Sequence, residues 1–226
     1  VPPDTLWHNR HIAGHHACGP PSAEVQVARL EIQLYADLTG IVAAAQAFEQ
    51  ETTRAGLAAL ARRARLVEAD AGARSGRTLA AVTVLGQIRD EAREAGDGVT
   101  LGRARALLAT CLDELGERTT SLAEAEAAYQ LLDEGTPAHL RVDHTMVLAL
   151  LTSLHRAGGV SYELFDHSLA LARRLGEPVL TIAVLNNYAW VLYERRELAA
   201  ARELVDEIGR IAEGTGLSIP LHPSEH

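Results

Sequence analysis

Lysine is absent from this chain of 226 residues, and all 21 basic residues are arginine. That removes Schiff-base chemistry and any lysine-activated nucleophile, and with the alanine, glycine and arginine bias it points to a GC-rich coding sequence. Cysteine is almost absent too. Cys18 and Cys111 lie far apart on different kinds of segment, so no disulfide framework forms and a reducing cytoplasm is the expected compartment. Aromatic residues are 4% of the chain against a hydrophobic fraction of 47%, which favours helices over strands. The longest apolar run, near Met146 to Leu154, is far short of a membrane span and includes Thr152 and Ser153. No basic stretch leads into an apolar one at the amino terminus, so no secretory signal is expected. Positive charge is also short. The 30 acidic residues leave a net charge of -9, which suggests neither nucleic acid nor an anionic membrane as partner.

Motifs for chemistry are missing as well. There is no phosphate-cradling glycine loop, no nucleophile elbow and no paired metal-ligand motif, and Ser75-Gly76 and Gly158-Gly159 are turn glycines with no strand before them. Neither enzymatic activity nor a cofactor is expected. His8, His11, His15, His16 and Cys18 gather metal-ligand types in the leader, but Gly14 and the flanking prolines oppose the helix that would converge them, so no metal site is expected. The chain opens on Val1 and its one methionine is Met146, so either a longer chain begins upstream or a start codon other than ATG was read literally.

What is present is helical periodicity. Residues 1–22 carry Pro2, Pro3, Pro20 and Pro21 and read as a flexible leader. From Ala23 to about Gln50, Val27, Leu30, Leu34, Leu38, Ile41 and Val42 form one apolar face, which Thr39 and Gly40 can kink or split, so residues 23–56 read as one or more amino-terminal helices. Two glycine series follow. Gly56, Gly96, Gly176 and Gly216 fall at multiples of 40, with Gly135 and Thr136 in the missing place, while Gly76, Gly116, Gly158 and then Arg196 mark a second series at intervals of 40, 42 and 38. A glycine takes the left-handed cap without strain, so each series reads as a row of helix ends. Four helix pairs result, at 57–96, 97–136, 137–176 and 177–216, and residues 217–226 are a tail or the start of a further repeat.

The clearest pair lies between Thr181 and Gly216. Leu185, Tyr188, Ala189 and Leu192 recur at helical steps in its first half, and Leu198, Ala201, Leu204, Val205 and Ile208 in its second, with small residues at Ala189 and Ala201 where helices would approach closely. This unit resembles a tetratricopeptide repeat (TPR), although Arg196 stands where the inter-helix glycine is usual. The resemblance implies an all-α, right-handed α-solenoid whose first helices line a concave surface that holds a protein or peptide partner. Alignment on the inner turns assigns the outward positions of those helices. They are Ala106, Thr110 and Asp113, then Leu148, Thr152 and His155, then Asn186, Trp190 and Tyr193. The partner-binding groove is therefore expected at Thr110, Asp113, Thr152, His155, Asn186, Trp190 and Tyr193, with Trp190 and Tyr193 as aromatic anchors.

Arg62, Arg63 and Arg65 form the one basic cluster, read as a solvated face or a contact for phosphate or acid. The acidic run Glu124, Glu126, Asp133 and Glu134 reads as a solubilising face. A second reading follows from similarity to the repeats ahead of bacterial diguanylate cyclases and within large transcription regulators, ending in motifs such as AREAGD and ARRLGE. It makes the chain a sensory or regulatory part of a larger signalling protein whose output domain lies elsewhere. The apolar end of the last pair would suit continuation, docking or a homodimer.

Overall fold

A computed structural model of the chain describes residues 22–34, 38, 40–156 and 158–216. The leader with its histidines and Cys18, and the tail from Leu217, lie outside the described residues. Every regular element among the described residues is a helix. In chain order they are α1 (Ala23–Gln33), α2 (Ile41–Arg54), α3 (Ala58–Arg74), α4 (Thr78–Glu94), α5 (Gly98–Glu114), α6 (Arg118–Gln130), α7 (Ala138–His155), α8 (Tyr162–Leu175), α9 (Pro178–Glu194) and α10 (Leu198–Thr215). Gly40, with φ 86°, divides the amino-terminal apolar face into α1 and α2.

The turns follow from local chemistry. At the α3–α4 and α5–α6 turns a left-handed glycine lets the backbone N–H of the next residue reach back to the preceding helix, Arg77 to the Gly72 carbonyl and Glu117 to that of Leu112, each at 2.9 Å. The α9–α10 turn makes the same bond, from Glu197 to Leu192, through Arg196 at φ 65°. After α6 the cap is different. Thr136 Oγ1 donates to Asp133 Oδ1 at 2.8 Å and accepts from the Asp133 N–H, closing a side-chain turn where the glycine series is broken. Asp97 caps α5 by accepting from the Thr100 N–H.

Two layers result. Helices α1, α3, α5, α7 and α9 each touch the next in that series, whereas α2, α4, α6, α8 and α10 touch helices of the first series and not one another. Elements that meet along one side and splay on the other form a curved array with the touching side inward, so the odd-numbered helices make the concave layer. The result is an all-α solenoid. Among the described residues its apolar interior is a string of four clusters. Val27, Phe48 and Val67 lie at the amino end, then Leu66, Leu85 and Leu108, then Val147 and Leu151, then Phe165, Leu185 and Ile208. Stability is thus shared between neighbouring pairs. In the last cluster the Phe165 ring stacks on Tyr188, centroids 4.4 Å apart, and fixes α8 against α9.

Candidate partner groove

The inner helices α3, α5, α7 and α9 begin at residues 58, 98, 138 and 178, a constant step of 40. That register decides which side chains face inward. Thr110 of α5 corresponds to Leu150 of α7 and Trp190 of α9, and Ala106 corresponds to Met146 and Asn186. Alignment through Gly158 places α7 two residues off, because the α7–α8 turn is longer than the α3–α4, α5–α6 and α9–α10 turns. In that longer turn Arg156 is extended at φ -95° and ψ 147°, and the left-handed residue is Gly159, not Gly158.

The expected site residues fall into two groups. Asn186, Trp190 and Tyr193 lie on one stripe of α9 and all are exposed, Trp190 by 45% and Tyr193 by 55%. The upstream positions are largely engaged within the fold. Asp113 and His155 meet each other across α5 and α7, so neither is a free groove side chain. Thr110 Oγ1 donates to the Leu107 carbonyl at 2.9 Å, and the Thr152 hydroxyl is shut off from solvent with no partner among the described residues. Ala106 and Leu148 are buried. His139, Asp143, Met146 and Leu150 occupy the inward stripe of α7 instead, and all four are partly accessible. The register error hid them, although the constant spacing of the first-helix starts carries the signal.

Electrostatics divide the groove. At the amino-terminal end Glu31 of α1 receives Arg63 of α3 at 2.8 Å and Arg103 of α5 at 2.5 Å, and Glu24 takes a further bond from Arg63. Burial pushes the Glu31 carboxyl up, but the two guanidinium groups together hold it below the usual carboxylate value. Arg62 pairs with Asp97 at 3.1 Å and Arg65 with Glu91 at 2.7 Å, so the basic cluster is spent on internal acids and is not an open anion site. On the outer layer Glu124 is buried and bridges Arg89 and Arg105, at 2.7 and 2.6 Å, which corrects its reading as a solvated acid.

At mid-groove Asp143 makes no hydrogen bond or ion pair with any described residue. Burial pushes its carboxyl up to about 6, helped by the charge of Asp70, and Arg103 and Arg74 offset this only in part. Its neighbour His144 is buried against Gly102 with neither ring nitrogen in a well-formed hydrogen bond. Burial, then the charges of Arg103 and His139, push it down to about 4, against a weak opposing pull from the Ala128 backbone. The buried Cys111 thiol is pushed up to about 11 by burial and by the charges of Glu114 and Asp70, which leaves it inert.

Toward the carboxyl end the charges give way to Met146, Leu150, Asn186, Asn187, Trp190 and Tyr193. Asn187 Nδ2 donates to the Ala183 carbonyl at 2.9 Å and lies 3.4 Å from Met146 Sδ, and Arg195 donates to the Ser153 carbonyl, so α9 is held firmly to α7. The aromatic stripe is therefore presented on a rigid support. No described helix is long and apolar enough to cross a membrane, and no group of three metal-ligating side chains occurs among the described residues.

No family model and no curated protein sequence matches the chain. Solved structures do. BtubC (BKLC) from P. vanneervenii superposes with a TM-score of 0.59 at 15% identity, covering 91% of this chain and 94% of that one. The nearly identical TPR-like repeats of a kinesin light chain assigned to Podosopora anserina give a TM-score of 0.54, also at 15% identity, over 86% of this chain and 97% of theirs. The chain has the fold of the TPR-like helical repeat proteins.

Proposed function

We propose that this chain is a non-catalytic scaffold that binds a protein or peptide segment along the carboxyl-terminal part of its concave face. The supporting observation is the exposed stripe of Asn186, Trp190 and Tyr193 on α9, at a place where the charged groups of the groove have given way to apolar ones. Large aromatics carry much of the binding energy at protein interfaces, and a preformed support leaves most of the ordering cost on the partner. Asn186 supplies one donor and one acceptor for the backbone of an extended segment. Arg63 and Arg103 are already paired with Glu31 and Glu24, so the amino-terminal groove selects little for acidic partners.

The test is a selection of displayed random peptides on the full chain, followed by affinity measurement of the enriched peptides. A Trp190→Ala, Tyr193→Ala double variant is expected to weaken them at least about 10-fold, the loss of a modest hot spot. Its helical circular dichroism should be unchanged. Undiminished binding by the folded double variant places the surface elsewhere.

A further inference from the structure

Asp143 leaves the middle of the groove with negative charge to spare. It is partly accessible and makes no hydrogen bond or ion pair with a described residue. The guanidinium groups that act on it are engaged with other carboxylates, Arg103 with Glu31 at 2.5 Å and Arg74 with Asp70 at 2.7 Å. Asp70 adds a like charge from α3. A carboxylate held half-buried among charges that already have partners weakens the fold, and a cation brought from outside relieves that loss.

The surroundings specify what kind of cation fits. Asp143 shares the inward stripe of α7 with Met146 and Leu150, and Leu150 corresponds to Trp190 of α9 through the constant step of 40. Partly accessible apolar side chains thus lead from the carboxylate to the exposed Trp190 and Tyr193. We propose that the bound segment carries an arginine or lysine that pairs with Asp143, and about four positions away a large apolar residue that packs on Leu150 and Trp190. This rests on the concave face being the binding surface. The spacing follows from the helices. Asp143 and Leu150 are two turns apart, or ~10 Å, and α9 lies ~8–10 Å to the side of α7. The diagonal of about 14 Å is covered by roughly four residues of extended chain at ~3.3 Å each. Alternate residues of an extended chain point the same way, so side chains four apart both face the groove. The apolar anchor supplies affinity, and the basic residue sets which segments are accepted and in what register.

Random displayed peptides selected on the full chain are the probe. Enriched sequences are expected to place arginine or lysine about four positions from a tryptophan, phenylalanine, tyrosine or leucine. A thermodynamic cycle on the tightest peptide then tests the contact itself. Asp143→Asn in the protein, and citrulline for the basic residue in the peptide, should each weaken binding about 10-fold, the value of a charge-assisted contact. Made together they should weaken it little more than either alone, because each removes the same pair. Helical circular dichroism of Asp143→Asn should match the parent. Enriched peptides without a basic residue at that spacing overturn the inference, as do losses that simply add. Peptides that need Trp190 and Tyr193 but bind Asp143→Asn as they bind the parent overturn it and leave the scaffold reading intact. Peptides that bind the folded Trp190→Ala, Tyr193→Ala variant as they bind the parent, or a library that yields no binder, overturn both.

Discussion

Arg196 is the one non-glycine residue with positive φ among the described residues, and it occupies the turn that Gly76 and Gly116 occupy in the earlier pairs. The hydrogen bonds around it match theirs. Its N–H reaches the Tyr193 carbonyl at 3.0 Å, as that of Gly76 reaches Ala73 at 2.8 Å and that of Gly116 reaches Asp113 at 2.9 Å. The turn is therefore made at full hydrogen-bonding value by a residue whose Cβ opposes it, at a cost of about 1–2 kcal/mol. Replacement by glycine relieves that strain but returns about 0.5–1 kcal/mol to the unfolded chain as extra freedom. The side chain adds no opposing loss, because Arg196 is exposed and makes no ion pair with a described residue. Arg196→Gly is expected to stabilise the protein by about 0.5–1 kcal/mol, or about 1–4 °C in Tm for a chain of this size. Urea and thermal unfolding read the global change, and amide exchange across α9 and α10 localises it. Arg196→Ala is the control, since alanine keeps the Cβ and should change stability little. If alanine stabilises as much as glycine, relief of charge and not of backbone strain is the cause, and the argument fails.

Other substitutions test the groove and the core. Gly102→Ala puts a Cβ 2.9 Å from Cε1 of the buried His144 ring, so overpacking of about 1–3 kcal/mol should exceed the helix-propensity gain. Gly86→Ala in α4 meets open space and should instead stabilise by about 0.5–1 kcal/mol, both changes being read from urea midpoints. Asp143→Asn should stabilise at pH 7, because a carboxyl raised from 3.8 to about 6 weakens the fold as pH rises through that window. The gain is about 1–2 kcal/mol after discounting for partial exposure, and it should vanish below pH 4. A gain that persists there refutes the electrostatic account. Glu31→Gln should destabilise by about 1–2 kcal/mol, because it leaves Arg103 without its carboxylate partner and Arg63 with Glu24 alone. The native carboxyl lies below its ordinary 4.5, so its contribution is present above that value and is lost as pH falls through the folded pKa, and parent and variant should converge in acid.

Helix existence was legible in the sequence because it rests on local physics. The glycine at 56, 76, 96, 116, 176 and 216 takes positive φ in every case, since only a residue without a Cβ does so freely. The exposed stripe of Asn186, Trp190 and Tyr193 was legible for the same reason, as it lies within one helix whose period the apolar residues reveal. The comparison between helices was not. The α7–α8 turn spans residues 156–161, six residues against three at the α3–α4, α5–α6 and α9–α10 turns, so Gly158 marks Leu148 and Thr152 where the inward positions are Met146 and Leu150, and turn length leaves no trace in helical periodicity.

The partners of charged side chains were also beyond the sequence. Arg62, Arg63 and Arg65 look alike as a cluster, yet helical geometry sends them toward Asp97, Glu31 and Glu91 on three different segments. The sequence by itself determined the helical class, the step of 40 and most turn positions, because those depend on Cβ sterics and on apolar spacing within a few residues. The tertiary structure alone decided which faces are open, which charges cancel and which carboxylate stands unpaired among the described residues at mid-groove. Each of these depends on contacts between distant parts of the chain, 32 residues apart for Arg63 and Glu31 and 72 for Arg103 and the same carboxylate.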